Sequence, residues 1–231
     1  MPDTRLVELL VDATNKLVRT VDQLSEEELR ADSLLPGWSR AHVVAHLALN
    51  AEGLAGALVG LREHRGVPMY SSQEDRNQDI ETLAAEDPSV LRERLLAGTT
   101  KVGEEIAELP DNLADSRIER TPGGRTFPAS AVPGMRLREV EIHHVDLDAG
   151  YSRTSWPIEF SESLIETMAR MDNASEPFTA YAVDVDRTFG FGEGGPRVSG
   201  TAADLGWWLT GRGSGEGLTS EGGELPRIGA W

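Results

Sequence analysis

Two short stretches of the chain carry the residue types that hold a divalent metal. The first is residues 135–146, MRLREVEIHHVD. On a helix, at about 100° per residue, Val132, Met135, Glu139, Ile142, His143 and Asp146 fall within about 100° of one another. A carboxylate and an imidazole four residues apart therefore interrupt an apolar stripe that should face a core. Glu141 and Asp148 fall on the opposite side. An ionised carboxylate buried without a partner is costly, and a bound cation is one way to keep both groups inside. Glu139 and His143 fit equally well as a plain i,i+4 pair at the edge of a bundle, with each other or with arginines.

The second stretch is residues 38–47, WSRAHVVAHL. Two histidines four apart can chelate one metal from a helix. Here, though, Val43 follows His42, where a metalloprotease motif has its glutamate. Measured from the centre of the apolar face, His46 lies at about 100° and His42 at about 140°, so His46 is the inward candidate. Alone it reads as an ordinary hydrogen-bonded core histidine. Taken with Glu139 and His143, it completes a three-ligand nitrogen and oxygen set. Such a set leaves coordination positions open, as a catalytic metal requires and a structural one does not. Asp146, one turn beyond His143, fits either an orienting partner for an imidazole or a surface carboxylate near a helix end.

These residues need helices to position them, and the first 150 residues read as helices. Leu6, Leu10, Ala13, Leu17, Val21 and Leu24 recur at steps of three and four, with Asp3 as a cap. Ser25 and Glu28 have capping-box spacing for a short helical turn. Ser39 caps a long helix whose stripe is Val44, Leu47, Ala51, Leu54, Leu58 and Leu61. Residues 65–80 read as an irregular connection. Asp87-Pro88 starts another helix, and a loop with Pro110, Pro122, Gly123 and Gly124 leads to a last one from about Ser130 to Asp148. Four long helices predict a bundle. Past Gly150 the texture changes: a helix near Phe160 to Met171, β-forming residues at Thr179–Val185 and Arg197–Ser199, a short helix from Ala202 to Thr210, and glycine-rich turns from Gly211 to Trp231. The fold class is α+β, with a four-helix bundle over residues 1–152 and a small α+β domain over 153–231.

Composition narrows the partners. The 231 residues carry a formal charge of −17, which argues against nucleic acid and anionic membranes. No run of about 18 apolar residues is uninterrupted; the nearest, Val43 to Leu61, is broken by His46, Asn50 and Glu52. The start has no basic region followed by an apolar one, so a soluble cytoplasmic protein is expected. Lysine occurs only at Lys16 and Lys101, leaving arginine to grip any carboxylate. There is no cysteine. A metal must then be held by nitrogen and oxygen, and thiol chemistry requires a thiol from outside.

The run Gly37 to His42 followed by Ala45-His46, then Arg138-Glu139-Val140 and Ile142-His143 leading into Val145-Asp146-Leu147, resembles the mycothiol-dependent maleylpyruvate isomerases of the DinB-like superfamily. So does Pro68-Met69-Tyr70 followed by Arg76-Asn77. The resemblance spans the chain, with Gly211-Arg212-Gly213-Ser214 near its end. It implies zinc, or another divalent metal, on His46, Glu139 and His143, with mycothiol as the external thiol. It also implies a catalytic role for Arg212, and its pattern favours Arg40 and Arg76 as cofactor-binding arginines. Glu141 and His144 depart from the family pattern, which has an aromatic and a small residue there; both project away from the metal stripe. The implied reaction is cis-trans isomerisation of an unsaturated keto acid by thiolate addition and elimination. The same site serves a thiol S-transferase that releases the conjugate, and a non-catalytic metal- or ligand-binding protein is the other alternative. The partners implied are a low-molecular-weight thiol and a small anionic or electrophilic substrate, with no protein partner.

Overall fold

In the computed structural model, which describes residues 3–171 and 174–229, the periodic apolar positions of the first segment become one buried side of α1 (Thr4–Gln23). Leu9, Leu10, Ala13, Leu17 and Val21 point inward, and Asp3 accepts from the Arg5 amide at 2.9 Å. Ser25 and Glu28 close a reciprocal capping box on α2 (Glu26–Arg30). Helix α3 (Arg40–Arg62) is apolar nearly all round and buried on several sides, as expected of a central helix. It is long and apolar enough to cross a membrane, but 72% of its most apolar stretch lies inside the protein.

Helix α4 (Gln73–Ala85) falls partly within the stretch expected to be irregular. It starts because Ser72 Oγ accepts from the Asp75 amide at 2.9 Å, and Glu74 and Asp75 stabilise its positive end. Only Ile80, Leu83 and Ala84 are buried, too few to give a sustained apolar period. Helix α5 (Pro88–Ala107) has the Asp87 cap and first-position proline that its sequence predicts. Helix α6 (Val132–Asp146) completes the set. In the bundle α3 packs on α5 and α6, α1 on α6 and α5, and α4 on the outside of α3.

A small hairpin interrupts the loop before α6: β1 (Arg117–Glu119) pairs antiparallel with β2 (Thr126–Pro128). Its function is positional. The Met69 and Tyr70 amides donate to the carbonyls of Glu119 and Arg120, each at 3.0 Å, and so extend the chain past α3. Gly53 permits that approach, because a Cβ there would lie 2.8 Å from the Met69 carbonyl oxygen.

Two compact units result, residues 1–151 and 152–231. In the second, α7 (Ile158–Met171) and α8 (Ala202–Leu209) pack on each other and on a mixed sheet. The sheet runs β4 (Arg187–Phe191), β3 (Phe178–Ala182), β5 (Arg197–Gly200), β6 (Thr219–Ser220), with β3 and β5 parallel and the other pairs antiparallel. Phe178 stacks on Phe191 at 4.4 Å and meets Trp208 edge-on. The chain is α+β. The last two residues of the glycine-rich 211–231 stretch lie outside the described residues.

Candidate metal centre

The long helix α3 and the helix α6 bring His46, Glu139 and His143 together. One donor atom from each lies within 4.8 Å of the other two. His46 Nε2 is 2.9 Å from Glu139 Oε2, and His143 Nε2 is 3.4 Å from the same oxygen. Both histidines are 6% exposed. Asp146 is fully buried and holds His143 Nδ1 at 2.8 Å. That bond holds a proton on Nδ1 and leaves Nε2, the nitrogen facing Glu139, as the one that can bind a cation.

The protonation states suit a cation. Burial pulls the His46 pKa down to about 4 against the opposing pull of Glu139, so the ring is neutral. Burial also acts on His143, but hydrogen bonds to Asp146 and Glu139 outweigh it and raise its pKa. For Glu139 burial opposes ionisation, yet the two imidazoles overcome it and hold the carboxyl well below its ordinary value. The donors are thus a neutral imidazole, a carboxylate, and an imidazole held at Nδ1 by Asp146 that presents Nε2 once it gives up its second proton. Nitrogen and oxygen donors in this number fit zinc or a similar divalent ion.

Arg76 stands against this group. Its Nη2 donates to His46 Nδ1 at 2.9 Å and Nη1 to Asn77 at 3.1 Å, and the guanidinium lies 5.6 Å from the Tyr70 ring centre. Arg40 is placed differently. Its Nε donates to the Leu147 carbonyl at 2.5 Å, Nη2 to the Asp148 carbonyl at 2.9 Å, and Nη1 to the Glu28 carbonyl at 3.2 Å. Those bonds tie the start of α3 to the chain leaving α6. His42 caps α3, with Nδ1 2.7 Å from Ser39 Oγ and Nε2 3.2 Å from Glu81.

Arg212 belongs to the second unit. It follows α8 between Gly211 and Gly213, whose φ values of 76° and 68° favour glycine. Its guanidinium lies 5.7 Å from the Trp207 ring centre.

Three residues near the centre are not among the candidate site residues that the sequence offered. Asn50 lies one turn beyond His46 and accepts from Arg136 at 2.8 Å. Arg136 is 1% exposed, and burial lowers its pKa to about 10, still charged at neutral pH. Tyr70 has its pKa raised by burial and by the Glu139 charge. For Asn50 the available signal was a polar residue at i+4 from His46 in an apolar stripe.

Residues 10–148 match the sequence model of the mycothiol maleylpyruvate isomerase N-terminal domain. The chain belongs to that family. It is also similar in structure to a crystallised mycothiol-dependent maleylpyruvate isomerase, with a TM-score of 0.90 at 28% identity, covering 100% of this chain and 98% of that one. A histidine-to-alanine mutant of a mycothiol-dependent maleylpyruvate isomerase gives a TM-score of 0.89 at the same identity and coverage. No curated protein matches the chain. Membership of the family supports dependence on mycothiol, an external thiol, in a chain that has no cysteine of its own.

Proposed function

We propose that the protein is a mycothiol-dependent cis-trans isomerase acting on an unsaturated keto acid of the maleylpyruvate type. The observation that carries this reading is the convergence of His46, Glu139 and His143 from two bundle helices, in a chain of this family. The three residues would hold zinc or another divalent ion, leaving positions for a sulfur ligand. When bound, ion and thiol together would supply reversible addition of a thiolate to the cis double bond, which would permit rotation before the thiolate is eliminated.

The chain's own residues do the rest. Asp146 keeps the His143 proton on Nδ1. With His46 Nε2 engaged, Nδ1 carries the ring proton and no longer accepts from Arg76, which leaves that guanidinium for an anionic ligand. Charge supports this assignment: Arg76 adds a positive charge beside a divalent ion, and Glu139 with Asp146 supply only two negative ones. A thiolate would balance the excess. Arg212 is assigned to the substrate carboxylate or to the enolate formed on addition. Arg40, engaged with three carbonyls, is assigned to holding the fold.

Incubation with mycothiol and maleylpyruvate tests the proposal. It predicts fumarylpyruvate, formed only in the presence of thiol and without net thiol consumption. A stable thiol adduct in place of the trans acid would make the protein an S-transferase.

A further inference from the structure

Away from the metal donors, α1 and α5 flank an open cleft of about 490 Å³, within the range of small-molecule sites, roughly 300–1,000 Å³. Its walls are mainly apolar, with Leu10 and Val18 from α1 and Val102 and Ile106 from α5. Val11 and Leu96, also in the lining, are 53% and 55% exposed. A single lining residue comes from elsewhere: Arg136 of α6, which is buried.

Arg136 Nη1 is satisfied by the Leu47 carbonyl at 2.9 Å and by Asn50. Nε and Nη2 have no partner among the described residues. A buried guanidinium with unmatched donors is a costly arrangement. These two nitrogens form the edge of the fork that matches both oxygens of a carboxylate. The lining contains one other charged residue, Arg19, and no acid, in a chain where Asp and Glu outnumber Lys and Arg 39 to 22. Gly103 of α5 also lines the cleft, and a Cβ at this position would meet no atom within 4 Å.

We propose that the cleft is a second ligand site, binding a small monocarboxylate whose charged end pairs with Arg136 and whose apolar body lies between α1 and α5. Octanoate is a suitable probe and 1-octanol its neutral counterpart, titrated by calorimetry into the metal-loaded full chain and into variants. The wild type should bind octanoate in preference to octanol. Arg136→Met should weaken octanoate at least tenfold and abolish that preference. Gly103→Phe, which enters open space, should lose octanoate binding while keeping its metal content and melting temperature. Three results would each overturn the proposal: no octanoate binding by the wild type, undiminished binding by Gly103→Phe, or loss of binding in metal-free His46→Ala. The last would put the carboxylate at the metal centre. Should Arg136→Met fail to fold, Gly103→Phe still decides.

Discussion

His46 and His143 are buried beside the same carboxylate, yet their protonation equilibria move in opposite directions. The His46 ring is pulled down to about 4 because burial outweighs Glu139, whereas Asp146 and Glu139 overcome burial at His143 and raise it above 6.5. A metal therefore competes with a proton at His143 at higher pH than at His46. Metal affinity should fall as the pH is lowered, and the fall should begin at a higher pH than an ordinary histidine would give. Calorimetry of zinc binding in buffers of different ionisation heat should detect proton release near pH 7, and its absence would refute the assignment of His143. Asp146→Asn should reduce the release and weaken zinc by roughly 10–100-fold. At this scale much of the candidate centre was legible. Helical spacing singled out His46, Glu139 and His143, which the fold brings together, and set His42 aside. Arg136 was not legible, because arginines are mostly solvated and only packing of α6 on several sides buries this one.

Helix α6 shows what a single-face reading omits. Glu141 and His144 point away from the metal donors, as their positions predict, but both are 1% exposed. They enter a second buried surface: His144 stacks on Tyr151 at 3.8 Å and meets Thr20 of α1 at 2.8 Å, while Tyr151 donates to Glu141 at 2.6 Å. Burial, then the nearby Lys16 charge, lowers the His144 pKa from 6.5 to about 3. The folded protein refuses a proton that the unfolded chain accepts, so this histidine costs stability as the pH falls below 6.5 toward about 3. His144→Phe should flatten that acid limb in denaturant titrations at pH 7 and pH 5. An equal loss in both proteins would show that His144 is not its source. The α4 helix and the β1–β2 hairpin were missed for related reasons. One buries three side chains and the other is three residues per strand, so neither carries a period long enough to read.

For the whole molecule, a bundle followed by a small α+β unit was legible from the change in texture near Gly150. The strand β4 was not, since Phe189 and Phe191 are its only two apolar positions on the buried face, Arg187 standing where a third would be, and pairing with β3 is what holds it extended. Arg212 belongs to that second unit, and its proposed role is separable from metal binding. Arg212→Ala should retain full zinc content yet lose roughly 100- to 1,000-fold in turnover, as removal of an oxyanion donor does. Unchanged turnover would remove it from the mechanism.

The central claim is that His46, Glu139 and His143 hold a metal that receives an external thiol. Cobalt(II) in place of zinc makes the event visible. Adding mycothiol to the cobalt-loaded protein should produce a sulfur-to-metal charge-transfer band in the near ultraviolet, and His46→Ala should fail to develop it. A cobalt spectrum unchanged by saturating thiol, or the same band in His46→Ala, would contradict the account.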